Sequence, residues 1–176
     1  MTFHGQTIDL AQPDPSTITL RDISHNLSNL VRFNGSTKYR YSVAQHSIYV
    51  SKLVAPEHAL QALMHDAPEA YLGDVVSPLK GMLPAYKEIE INMWHAICLK
   101  FKLDPAVTKE VHMADAQAYL QERCTLIPTI ITDDPDVENF KGMIIPHIPI
   151  KGEEDPVVVA RDFRNRFHQL KHRSVM

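Results

Sequence analysis

Cysteine is scarce: Cys98 and Cys124 are the only two in 176 residues. One falls inside an apolar helical stretch and the other in the last turn of another such stretch. A disulfide framework is therefore not expected, and both read as ordinary core or near-surface thiols. No apolar run approaches the ~18 residues that a membrane-crossing helix needs. The opening Met1-Thr-Phe-His-Gly-Gln lacks the basic-then-apolar pattern of a secretory signal. These absences set the expectation of a cytoplasmic protein with no membrane partner. An excess of positive charge is missing as well, since 18 Lys and Arg stand against 21 Asp and Glu for a net charge of -3. Binding to a phosphate backbone demands a basic stripe, so nucleic acid is not the expected partner. Neither an internal repeat nor a low-complexity tract interrupts the chain.

What is present suits one core. Hydrophobic residues make up 44% of the chain, and its length fits a single globular domain over 1–176. Up to Ser16, Pro13 and Pro15 with poor alternation predict a short irregular arm. From Thr19 onward Ile23, Leu27, Leu30 and Val31 recur at helical spacing, predicting a first helix that ends near Arg32. Phe33 to Tyr41 reads as a loop. Val43, Val50, Leu53 and Val54 mark a second helix, with His46 on the same side, that stops before Pro56. Residues 57–65 form a third, interrupted by Pro68 just after His65-Asp66.

Glu69 to Asp74 reads as a helical turn running into a loop, and Pro78, Gly81 and Pro84 predict an irregular, mobile rim. Ile89, Met93, Trp94, Ile97 and Phe101 form a helical stripe; Val107, Val111, Ala114 and Ala118 form another, on the helix that carries Asp115. Residues 128–156 predict a long loop or small hairpin. Val159, Phe163, Phe167 and Leu170 predict a closing helix. The expected fold class is all-α, a bundle of about five to seven helices without a large sheet.

The chemistry lies in the order His46, then His65-Asp66, then Asp115, spread over three predicted helices. Two imidazoles and two carboxylates make a mixed nitrogen and oxygen shell suited to Mn, Co, Fe, Ni or Zn, with positions left for water and substrate. Calcium would not choose two histidines. Adjacent residues on a helix point about 100° apart, so His65 and Asp66 can share one metal only near a helix end. Pro68 supplies such an end. Taken singly each of these residues reads as surface or packing; the joint pattern reverses that judgement. His112, three residues before Asp115, is the one other histidine placed to face the same way.

Three segments carry a resemblance: Ser42-Val-Ala-Gln-His46-Ser, Leu63-Met-His65-Asp66-Ala-Pro-Glu69-Ala-Tyr and Met113-Ala-Asp115-Ala. In this order they are similar to the HD-domain phosphohydrolases, and in particular to bacterial and phage nucleotide hydrolases that include 5'-deoxynucleotidases and a dATP triphosphohydrolase. The resemblance covers about residues 17–125. It implies an HD-domain helical bundle in which His46, His65, Asp66 and Asp115 bind one divalent metal ion, with Mn, Co, Zn and Mg as the candidates. It further implies that Glu69 positions or activates the attacking water and that Asp74 assists phosphoryl transfer. Arg32, fourteen residues before His46, would contact the nucleotide phosphate through its planar fork. Phe33 would border the sugar or base, and Pro78 would lie near the base.

The implied function is hydrolysis of a deoxynucleotide, either a dNTP releasing tripolyphosphate or a dNMP releasing phosphate. Lys38, Arg40, Lys80 and Lys87 flank the expected pocket; Lys80 is taken as a substrate contact, with solvated surface as the simpler reading of all four. Related phage sequences often carry His where this chain has Ser36. The alternatives are a nucleotide-binding regulatory module, or a hydrolase of a signalling nucleotide such as guanosine tetraphosphate. Cyclic dinucleotides rank lower, because the glycine-proline motif of those variants is absent. Small-molecule binding and a homo-oligomer complete the implied picture.

Overall fold

Helix formation begins where side chains can satisfy the first backbone donors. Helix α1, Leu20–Asn29, starts at Thr19, whose hydroxyl accepts from the Asp22 amide at 3.0 Å and donates to the Asp22 carboxylate at 2.7 Å. Helix α2, Val43–Val50, opens on a reciprocal capping box between Ser42 and Gln45. Helices α3 (Ala59–Met64) and α4 (Glu69–Leu72, a single turn) follow, and α4 ends at Gly73, whose φ of 86° a residue with a Cβ rarely adopts. Helix α5 spans Ser77–Met82, α6 Pro84–Phe101, α7 Lys109–Leu126 and α8 Pro156–Arg173.

These elements come from a computed structural model that describes residues 2–128, 149–150 and 152–173, with Arg173 described by its backbone alone. The all-α expectation holds: among the described residues there is no strand, only an isolated antiparallel bridge between Val31 and Ser42. No helix in them is long and apolar enough to cross a membrane. Most of the loop or hairpin expected over 128–156 lies outside the described residues. Cys98 is buried and Cys124 exposed, both as free thiols.

Two expectations are corrected. The first helix ends at Asn29, because Leu30 and Val31 turn extended to pair with Tyr41 to Val43; Arg32 N–H donates to Tyr41 O at 3.0 Å and Val43 N–H to Leu30 O at 3.1 Å. Arg32 thus sits on a short 3-10 turn, Arg32–Gly35, beside the start of α2. The stretch around Pro78 and Pro84 is helical rather than irregular. Both prolines occupy a first helical turn, where the missing N–H costs no intrahelical bond.

One core joins α1, α2, α3, α6 and α8 through Ile23, Leu27, Val43, Leu63, Met93, Ile97 and Phe163, all fully buried. α1 lies along α8 and also meets α4 and α2. A second, smaller cluster of Tyr49, Val50, Ala62, Val111, Ala114 and Ala118 ties α7 to α2 and α3. Small side chains set how near two helix axes can come. Ala114 and Ala118, on either side of Asp115, and Ala62 on α3 therefore let α7 lie close against the helices that carry the histidines.

Candidate metal centre

Each expected ligand reaches the same point from a different element. His46 stands inside α2, completely buried. His65 caps the end of α3, and Asp66 lies in the turn between α3 and α4, where Ala67 N–H donates to Met64 O and Glu69 N–H to Asp66 O. That break from the helix lets two neighbouring residues face one centre. Asp115 comes from α7.

One potential ligand atom from each of His46, His65 and Asp66 lies within 4.8 Å of the others. His46 Nε2 is 3.0 Å from Asp115 Oδ1 and 3.5 Å from Asp66 Oδ2; His65 Nε2 is 3.2 Å from Asp66 Oδ1 and 3.7 Å from Asp115 Oδ1. Both Nε2 atoms are buried, yet neither makes a hydrogen bond to the described residues. Carboxylate oxygens stand beside them without lying along their N–H directions. Such spacing and alignment suit atoms arranged round a shared cation better than donors facing acceptors.

The opposite face of each ring is fixed. His65 Nδ1 lies 2.8 Å from Ala62 O, which makes Nδ1 the donor to that carbonyl and leaves Nε2 as the nitrogen that would offer its lone pair to a metal once the ring is neutral. His46 Nδ1 lies 2.7 Å from Glu122 Oε1. Glu122 was not singled out from the sequence. It is fully buried, accepts from the Tyr41 hydroxyl at 2.9 Å, and takes Arg32 Nε on its second oxygen at 2.9 Å. Its position seven residues after Asp115 is the signal that could have found it, because residues seven apart share a helix face.

Charge is concentrated here. Burial works against a cation at His46, and so does the nearby Arg32 guanidinium, but Glu122 and Asp115 lift its pKa to about 10. His65 is raised too: burial opposes this, and Asp66 and Asp115 outweigh it. Burial would raise Asp115, yet the two imidazoles hold it well below the ordinary carboxylate range. The Asp115 side chain is 43% exposed, so solvent screens part of that field. Burial likewise opposes ionisation of Glu122, and Arg32 and His46 still depress it. A centre that stabilises imidazolium so strongly has negative charge to neutralise, which a divalent cation would do in place of the protons.

The remaining candidates surround this centre. Arg32 is 13% exposed, and its NH1 stands 3.9 Å from Asp66 Oδ2. Phe33 lies beneath the Arg32 guanidinium at 5.4 Å and stacks on Tyr119 with 5.8 Å between ring centroids. Phe33, Asn34 and Gly35 all have positive φ, a left-handed turn that costs roughly 1–2 kcal/mol at each non-glycine position. Glu69 is buried; burial, with Asp66 and Asp74 adding to it and Lys80 opposing, pushes its pKa up to about 8. Burial also raises Asp74, against the pull of Arg32.

Lys80 forms ion pairs with Glu69 and Glu90. Pro78 is exposed on α5, Ser36 is exposed, and so is His112. Lys38 and Arg40 donate to the carbonyls of Thr125 and Ser28, and Lys87 is exposed.

Fold and site together define an all-α bundle with a candidate mononuclear centre of two histidines and two aspartates. No family model matches the chain. It is 41% identical over 122 residues to the uncharacterized protein YfdR of Escherichia coli (strain K12), a match covering 69% of this chain and 68% of that protein. The chain belongs to the YfdR family. The uncharacterized protein RCAP_rcc00048 of Rhodobacter capsulatus is also 41% identical, over 58% of this chain and 57% of its own length.

Proposed function

We propose that the chain is a metal-dependent phosphohydrolase of the HD-domain kind, acting in the cytoplasm on deoxynucleotide phosphates such as dATP or a dNMP. The observation that carries this reading is the convergence of His46, His65, Asp66 and Asp115, with two buried imidazole nitrogens left without hydrogen bonds among the described residues. The motif resemblance supplies the substrate class and suggests a homo-oligomer.

A divalent cation on those four residues would supply Lewis-acid polarisation of a phosphoryl oxygen and a bound water of lowered pKa. Arg32 keeps Nε on Glu122 and directs NH1 toward Asp66, so its terminal donors face the centre and suit phosphate oxygens. Glu69, three residues past Asp66, accepts the proton of the attacking water in its carboxylate form, which gains population as pH approaches its raised pKa of about 8, while the water oxygen bonds to the α-phosphorus. Asp74, whose burial shifts its pKa upward, protonates the 5'-oxygen as the P–O bond breaks. The same bond breaks in dNMP and dNTP substrates; the products are deoxynucleoside plus phosphate or tripolyphosphate.

Incubation with each dNMP and dNTP under Mn, Co, Zn or Mg, followed by chromatography, tests the reading. Deoxynucleoside release by the native chain and its loss in Asp66→Ala are expected. Nucleotide binding without turnover under every metal would replace the hydrolase with a regulatory module. Turnover confined to guanosine tetraphosphate would move the substrate class.

A further inference from the structure

Lys80 lies between two carboxylates. Its Nζ is 3.0 Å from Glu69 Oε1 and 2.7 Å from Glu90 Oε1, so one ammonium joins α4, α5 and α6. None of the three is a freely solvated group: the side chains of Lys80, Glu69 and Glu90 are 21%, 7% and 27% exposed. The Tyr86 ring lies 5.7 Å from the same Nζ, and its hydroxyl donates to Gly73 O, the residue before Asp74. An ammonium has three donors and no fork, so one committed to two carboxylates and an aromatic face has little left for phosphate.

The consequence falls on Glu69. Its Oε1 is held by Lys80, while Oε2 is buried and has no hydrogen-bond partner among the described residues. A carboxylate with one oxygen tethered and the other open has its acceptor aimed in one direction. Were Glu90 neutral, Lys80 would have no counter-anchor and could turn a second donor onto Glu69, occupying the open oxygen.

We propose that Lys80 is a positioning residue and not a phosphate ligand, and that Glu90 anchors it so that Glu69 presents Oε2 to the attacking water. This rests on the hydrolase reading above. In the step it serves, a water proton passes to Glu69 Oε2 while the water oxygen bonds to phosphorus, the P–O5' bond breaks and Asp74 protonates the departing O5'. Lys80 and Glu90 exchange no proton.

The test uses the full chain loaded with Mn and whichever of dAMP or dATP it hydrolyses. Steady-state constants and the inhibition constant of inorganic phosphate are measured for native protein, Lys80→Met, Lys80→Arg and Glu90→Gln. The expected result is a kcat about 10- to 100-fold lower for Lys80→Met and about 3- to 10-fold lower for Glu90→Gln. KM and the phosphate inhibition constant stay within twofold, since only an interaction used in the chemical step is lost. Lys80→Arg, whose fork spans both carboxylates, restores most of the kcat.

A rise of about tenfold in KM and in the phosphate constant with kcat retained would make Lys80 a phosphate ligand and overturn the proposal. So would losses that follow a fall in melting temperature and resist the arginine replacement. If the native chain turns over no nucleotide, the hydrolase reading fails and takes this proposal with it. Failure of the proposal alone leaves native turnover intact.

Discussion

Replacing Glu122 by glutamine tests how the candidate centre is held together. One carboxylate serves three buried partners: Oε1 receives His46 Nδ1 at 2.7 Å and the Tyr41 hydroxyl at 2.9 Å, and Oε2 receives Arg32 Nε at 2.9 Å. Glutamine keeps the shape but removes the charge and turns one acceptor into a donor that must face another donor. Losing a charge-assisted bond costs about 1.5–3 kcal/mol, and an unsatisfied buried donor adds roughly 1–3 kcal/mol. The sum agrees with the ~3–5 kcal/mol typical of breaking one side of a buried ion pair.

The metal-free protein should lose about that much unfolding free energy in urea. His46 would also lose the partner that orients its ring, and losing the hydrogen-bond partner of a ligating imidazole weakens metal affinity ~10- to 100-fold. Calorimetric titration with Mn measures that term separately. An unfolding free energy within ~0.5 kcal/mol of native and an unchanged Mn affinity would refute the role given to Glu122, since those are the values of an inconsequential surface change.

Three further outcomes follow from the same geometry. Arg32→Lys replaces a fork that meets Glu122 and points at Asp66 with a point charge, so KM for the nucleotide should rise about tenfold or more, worth ~1.4 kcal/mol or more of binding; an unchanged KM in steady-state kinetics would place the phosphate elsewhere. Asp22 is buried, which alone would raise its pKa, but bonds from Thr19 and His4 bring it below the ordinary 3.8. The stability it adds is therefore present above that value and lost as pH falls through the lower folded one, and Asp22→Asn should flatten the acid limb of a melting-temperature profile. Phe163→Ala empties a fully buried site in the main core and should cost ~3–5 kcal/mol in urea unfolding, more if the cavity cannot collapse.

Much of the bundle was legible because burial imposes a period. The stripe at Met93, Trp94 and Ile97 became the buried face of α6, and Phe163, Phe167 and Leu170 that of α8. Proline was read too strongly as a breaker: at Pro78 and Pro84 it occupies the first turn, where its fixed φ favours the helix. The early end of α1 was hidden because Leu30 and Val31 continue the apolar spacing. They leave the helix for a tertiary reason, the bridge between Val31 and Ser42.

His46, His65, Asp66 and Asp115 were found as a set because their residue types and order are informative, and the structure brings them together. Glu122 was missed because a glutamate near the end of a helix reads as solvated. Only the fold shows it buried beneath Tyr41, His46 and Arg32. Lys80 could be seen as a nearby cation, but its pairing with Glu90 depends on α5 packing against α6, which no local pattern announces.

The most direct test of the central claim is metal stoichiometry in chelator-stripped protein titrated calorimetrically with Mn, comparing the native chain with His46→Ala and Asp115→Ala. The account predicts one ion per native chain and at least a 100-fold loss of affinity in each variant, with the helical circular dichroism retained. Native protein that binds no ion, or variants that bind as tightly as native, would contradict it.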